Sequence, residues 1–196
     1  MRFGELGPRG LRRPGGGRYL TEDDIRLIKS AKRGNTDAFS KMVSNYKNFV
    51  YRTAYGILNH KSDAEDVTQE TFIKVYQSLK GLRDERMFPS WLAKITVRNA
   101  LDWRERHRRH RTESYEESLV SSGLNPHHQS EIRMDLYQAM QRLGADHRTI
   151  LILRELHGFS YDELAEILEL PVGTVRSRLH HARLQLRDEL NREGSV

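Results

Sequence analysis

The stretch that most constrains the fold begins at Ser160 and reads SYDELAEILELPVGTVRSRLHHARLQLRDEL. Ser160 followed three residues later by Glu163 has the form of a capping box, so a helix starts there. Leu164, Ala165 and Leu168 supply its inner face. Leu170-Pro171 then enforces a break, because proline cannot continue the helix and restricts the residue before it. A second helix opens between Val172 and Thr174. A short helix, a tight turn and a longer helix make a helix-turn-helix unit.

The second helix separates its faces. At about 100° per residue, Val172, Val175, Leu179, Ala182 and Leu186 fall on one stripe. Thr174, Ser177, His180 and His181 point away from it, with Arg176 and Arg183 on a flank. From Val172 to Leu186 there are basic residues and no acidic one. Such a helix can offer short polar groups to base edges and arginines to phosphates or guanine. The plainer reading is an amphipathic surface helix with a solvated basic face.

Apolar residues at a helical period recur through much of the rest, and no stretch alternates convincingly with period two. Thr21-Glu22-Asp23-Asp24 reads as an N-cap and acidic first turn. Gly34-Asn35 ends that helix, and Thr36 or Asp37 can cap the next, which carries Phe39, Met42, Val43, Tyr46, Phe49, Val50, Ala54 and Ile57. Asn59-His60 is a turn, and Ser62 or Asp63 opens a third helix that runs to about Leu79 and stops at Gly81. Pro89 sits in the first turn of a fourth, whose buried side is Trp91, Leu92, Ile95, Val97 and Leu101. Residues 112–130 are rich in Ser and Glu, contain Asn125-Pro126 and lack apolar period, which reads as a linker. Residues 1–20, with Gly15-Gly16-Gly17 and several arginines, read as a disordered basic arm. The expected fold is therefore all-α, with two small helical domains over 21–111 and 131–196 joined by a flexible linker.

Composition removes several kinds of chemistry. There is no cysteine, so disulfides, thiolate catalysis and cysteine-based zinc sites are excluded. No apolar run approaches the roughly 20 residues of a membrane span, and the Arg- and Gly-rich start lacks the core of a signal peptide. A cytoplasmic location, without direct membrane insertion, is the default. The net charge of +6 is a mild excess, so its placement matters more than its size.

Two helices of the first domain carry that placement. In DAEDVTQETFIKVYQSL, Asp63, Asp66 and Glu70 stand at i, i+3 and i+7 and line one ridge. The ridge can be a solvated face, a divalent-metal site or a dock for a basic protein surface. From Arg98 to Arg111 there are six arginines and two acidic residues, with Trp103 among them. That pattern suits nucleic-acid backbones and unstacked bases, or simply a charged helix end. His107, His110, His127 and His128 lack recognisable metal-ligand spacing.

In chain order these segments resemble the extracytoplasmic-function sigma factors of bacterial RNA polymerase. AFSKMVSNYKNFVYRTAYGIL is similar to the opening of sigma region two, and FPSWLAKITVRNALDWRERHRR to the part that melts and reads the −10 element. LGADHRTILILRELHGFSYDELAEILELPVGTVRSRLHHAR resembles region four, which reads the −35 element and meets the β flap. The resemblance implies that Asp63, Asp66, Gln69 and Glu70 dock on the β′ clamp helices of core polymerase. It places Lys74, Trp91, Arg98 and Asn99 in −10 binding and melting, and the loop Arg83, Asp84, Glu85, Arg86 and Met87 where a flipped-out base is captured. Thr174, Arg176, Ser177, His180, His181 and Arg183 would meet the −35 element. Arg98 stands where many members have asparagine, with Asn99 one place later, and the paired histidines replace frequent aromatic or arginine residues. The implied partners are core RNA polymerase, promoter DNA and an anti-sigma factor, with no cofactor, no metal and no catalytic residue. An operator-binding regulator, or a metal-dependent nuclease using Asp63, Asp66 and Glu70, are the alternatives.

Overall fold

A computed structural model describes residues 20–111 and 131–193. The expected linker lies outside the described residues, as does the expected arm up to residue 19. Leu20, the last residue of that arm, packs against the first core.

Every regular element among the described residues is helical. Helix α1, Glu22–Lys32, starts at Thr21 in a capping box with Asp24. Helix α2, Thr36–Leu58, is capped by Asn35, whose side chain accepts the Ala38 N–H at 2.9 Å. Neither Thr36 nor Asp37 takes that role, because Asn35 already holds the extended conformation a cap needs. Asn59 ends α2 in the left-handed region at φ 56°. Helix α3, Lys61–Ser78, then begins one residue before Ser62, with His60 as its cap. Short turns at Leu79–Gly81 and Glu85–Met87 lead into α4, Phe88–Arg111, with Pro89 in its first turn.

The second unit comprises α5 (Glu131–Arg142), α6 (Ala145–Leu151), α7 (Tyr161–Leu168) and α8 (Val172–Glu193). The expected capping box at α7 is present: the Ser160 hydroxyl accepts the Glu163 N–H, and the Glu163 carboxylate accepts the Ser160 N–H at 2.8 Å. Its inner face is Leu164 and Ile167, while Ala165 and Leu168 are only partly covered. Glu169 ends α7 in the left-handed conformation at φ 55°, which turns the chain before Pro171. Between α6 and α7, residues Ile152–Leu156 widen into a π-helical turn, a feature with no marker in the hydropathy pattern.

Two apolar clusters hold the described residues together. One lies within the first unit and joins Ile28, Met42, Val50, Val75, Phe88 and Leu92. The other crosses between units: Ala54, Ile57, Val67, Ala93, Val97 and Ala100 meet Leu143, Ile150, Leu153, Leu164, Ile167 and Leu179. At the crossing, Gly56 of α2 admits Ile152 of the π turn. A β-carbon at position 56 would stand 1.9 Å from Ile152 Cδ1. His157 stacks on Phe49 with ring centroids 4.2 Å apart, and its Nε2 lies 2.9 Å from the Thr53 hydroxyl. The Tyr55 and Tyr137 hydroxyls are hydrogen-bonded to each other across the same seam. The two helical units therefore share a core, a packing that the periodicity of either half does not encode.

Candidate nucleic-acid interface

Helix α8 presents the polar face expected of it. Val175, Leu179 and Ala182 are buried beneath, which fixes the rotation of the helix. Arg176, Ser177, His180, His181 and Arg183 are exposed, and Thr174 is half-buried. The Ser177 hydroxyl donates to the Thr174 carbonyl at 3.1 Å, leaving its oxygen free to accept from a base edge. Arg183 differs from its neighbours: its Nε and Nη2 donate to Glu155 at 3.1 and 2.6 Å. That bond raises its pKa and fixes its guanidinium against the π turn. Tyr161 accepts two guanidinium groups over its ring, Arg154 at 5.0 Å and Arg176 at 5.7 Å from the centroid. Arg154 and Tyr161 were not marked by the sequence, because only the π turn carries Arg154 to the start of α7.

The acidic ridge of α3 is divided. Asp66 and Gln69 are exposed. Asp63 lies 3.2 Å from His60 at the helix start. Glu70 turns along the helix to Lys74 at 2.8 Å and toward Arg106 of α4 at 3.7 Å. Beside Gln69 lies an apolar groove of about 560 Å³, floored by Phe39, Val43 and Phe72. Its rim carries Ile73 and Tyr76, each more than half exposed. The 3.6-residue pattern places both on the outward side of α3, yet apolar residues there read as ordinary scatter until the groove is seen.

The residues assigned to −10 binding differ in exposure and in what holds them. Asn99 is buried, its amide bridging Thr71 at 3.0 Å and the Lys74 ammonium at 2.5 Å. It therefore orients Lys74 from inside the protein. Asp84 caps the turn after it by accepting the Arg86 N–H at 2.9 Å, and Glu85 accepts from Lys32 at 3.2 Å. These two carboxylates shape the loop, while Arg83, Arg86 and Met87 project from it. Trp91 leans on Phe88 with centroids 6.0 Å apart and borders a cavity of about 440 Å³ with Leu82, Met87 and Ser90.

Arg98 is bound to Glu169, the residue that ends α7. Lys94, one turn earlier, reaches the same carboxylate oxygen at 2.9 Å. The Arg98 hydrogen bond foremost, and then that of Lys94, hold the Glu169 carboxyl down to about 2. Lys94 was not marked by the sequence; its i, i+4 relation to Arg98 is the signal that would have found it. Further along α4, His107 stacks on Trp103 at 4.4 Å, and the Arg106 guanidinium stands 5.6 Å from the Trp103 ring centre.

Among the described residues no three His, Asp or Glu side chains converge as a metal site, and no helix is long and apolar enough to cross a membrane. The geometry is that of a scaffold presenting charged faces.

Comparison with known proteins agrees with this layout. Residues 42–110 match the family described as Sigma-70 region 2, and residues 133–186 match Sigma-70, region 4. The chain is 31% identical over 181 residues to the ECF RNA polymerase sigma factor SigW of Bacillus subtilis, covering 84% of this chain and 95% of that protein. It is 36% identical over 164 residues to SigE of Mycolicibacterium smegmatis, where the match takes in 81% of this chain but 63% of the longer relative. The fold resembles that of the sigma factor RpoE solved in complex with the anti-sigma factor NepR from Bartonella quintana, at TM-score 0.69 and 24% identity. That likeness covers 78% of this chain and 96% of the other. The chain belongs to the extracytoplasmic-function group of the sigma-70 family of RNA polymerase sigma factors.

Proposed function

We propose that this sigma factor brings core RNA polymerase to its promoters through three surfaces, and that the polymerase alone performs the chemistry. Asp66 and Gln69, flanked by Asp63 and Glu70, dock on the β′ clamp helices. The loop from Arg83 to Met87, with Trp91, Lys74 and Arg98, engages the −10 element and holds an unstacked base of the open strand. Arg176, Ser177, His180 and His181, with Thr174 at the helix start, read the −35 major groove, while Arg183 meets its backbone. Region four also meets the β flap.

The observation that carries this reading is the coexistence on one chain of an acidic ridge exposed at Asp66 and Gln69 and two separate cation-bearing faces, one on α4 and one on α8. Residues 21–111 hold polymerase and the −10 element, residues 131–196 hold the −35 element, and residues 112–130 span the interval. Linked readers reinforce each other, because binding of one raises the effective concentration of the other. Strand opening draws on binding energy and needs no cofactor. The protein works in the cytoplasm, where an anti-sigma factor restrains it by covering these surfaces.

Run-off transcription with sigma-free core polymerase, on genomic fragments that include the DNA upstream of this gene, tests the reading. Discrete transcripts, lost when Asp63, Asp66 and Glu70 are all reversed to lysine, are the expected result. DNA binding without polymerase association or initiation would overturn it in favour of an operator-binding regulator.

A further inference from the structure

The loop assigned above to base capture is tied down by a helix that lies outside it. Helix α1 buries Ile28 and Ala31 in the cluster that also takes in Leu82 and Phe88, the residues on either side of the loop. Lys32, the last residue of α1, has a side chain only 25% exposed. Its ammonium donates to the Leu82 carbonyl, where the loop begins, and to the Glu85 carboxylate at 3.2 Å. The Glu85 side chain is 14% exposed, so the pair is shielded from most of the solvent. Asp84 accepts the Arg86 N–H, and the Ser90 hydroxyl donates to the Met87 carbonyl at 3.0 Å, local bonds that shape the turn without tying it to a neighbour. Lys32 reaches its two acceptors across 50 and 53 positions of sequence. Arg83, Arg86 and Met87 remain exposed.

We propose that Lys32 is a positioning residue for strand capture, clamping the start of the loop to the Glu85–Met87 turn so that Arg83, Arg86 and Met87 are presented in one arrangement. The inference rests on the −10 role assigned to this loop above. Lysine suits the task because its ammonium offers three donors, enough to hold a carbonyl and a carboxylate at once. A shielded ion pair is also unforgiving, since taking away one partner leaves the other charge covered and unpaired. Without Lys32 the loop would relieve that charge by swinging Glu85 outward, and the arginines on either side would move with the backbone. An incoming strand would then have to order those side chains itself, and its affinity falls by that cost. Lys32 touches the loop and not the strand, so it acts on the geometry of capture and not on the charge the strand meets.

The test uses the full-length protein with core polymerase, on a promoter fragment that gives a transcript in the run-off assay. Permanganate reactivity of unpaired thymines reads strand opening, and protection of the upstream duplex reads −35 engagement. Lys32→Met, which keeps the length of the side chain, should lower opening about tenfold, the scale set by two or three side chains left to be ordered. Core association and upstream protection should stay at the parent level. Lys32→Arg, which keeps the charge and more than one donor, should restore opening. Lys29→Met removes the same charge from an exposed position three residues earlier and should leave opening unchanged. Glu85→Gln keeps an acceptor without the charge and should produce a smaller fall, and it decides the matter if Lys32→Met does not fold by circular dichroism. A folded Lys32→Met protein that opens the promoter as well as the parent overturns the proposal, as does a Lys29→Met protein that loses as much. A parent protein that binds no core polymerase or opens no promoter would sink the −10 reading itself, whereas equal opening by parent and variant would sink only the clamp.

Discussion

The two helices assigned above to promoter DNA, α4 and α8, are built alike and packed differently. Each carries cations on one face and buries small or aliphatic residues on the other. On α8 the buried stripe of Val175, Leu179 and Ala182 is covered within its own domain, and the polar face is left to solvent. On α4 both sides are in use: Leu92 and Phe88 serve the first core, while Ala93 and Val97 join the core shared with α7. The cations beside that second stripe are consequently drawn to Glu169. The lesson is that a basic face is available for DNA only if the apolar residues next to it are satisfied at home.

That contrast can be broken from either side. The largest effect should come from Leu179→Ala, which empties a nearly fully buried site and should cost about 2–5 kcal/mol. Urea denaturation followed by circular dichroism would register it, and the polar α8 face proposed to read the −35 element would be lost with its scaffold. Next comes Gly56→Val, which forces Ile152 out of its position and should weaken the seam by about 1–3 kcal/mol. Spin labels on the two units should move apart while the helical content stays constant.

A comparable but more local loss is expected from Arg176→Ala, about 1–3 kcal/mol on a cognate −35 duplex if the guanidinium pairs with guanine. The same change should leave binding of single-stranded DNA nearly untouched. A smaller, graded effect should follow pH. His157 lies between Phe49 and Phe159, hydrogen-bonded to Thr53. Burial, and then the charge of Arg52, push its pKa down to about 4 from an ordinary 6.5. The separated state therefore binds a proton below pH 6.5 that the closed state refuses until about pH 4, so closure is strongest above 6.5. Between those limits the open fraction should rise by up to tenfold per pH unit. Glu169 keeps its charge through this window, because its own carboxyl is held down to about 2. Inter-domain distance distributions at pH 7 and pH 5 would register the shift, and a His157→Gln variant should abolish it.

Much of this was legible in the residues. The helix-turn-helix could be read because its signals are local: a capping box, a proline break and a one-signed helix lie within thirty-odd residues. The rotation of α8 followed from the same short stretch. Asn99 was harder, since an asparagine in an arginine-rich run reads as a DNA contact until Thr71 and Lys74 are seen to enclose its amide. Glu169 was invisible for a related reason. A charged residue in a turn is unremarkable until a partner 71 positions away is placed beside it. Ile73 and Tyr76 looked like scattered surface residues, and only the packing of α2 against α3 assembles them into a groove. Local chemistry is written in sequence, whereas pairing across the seam depends on how two amphipathic units satisfy each other's leftover surface.

The most direct test of the account is run-off transcription by sigma-free core polymerase supplied with the parent protein or with the protein in which Asp63, Asp66 and Glu70 are all reversed to lysine. The account predicts discrete promoter-dependent transcripts from the first and none from the second. Equal transcription from both would contradict the assignment of the α3 ridge to polymerase docking.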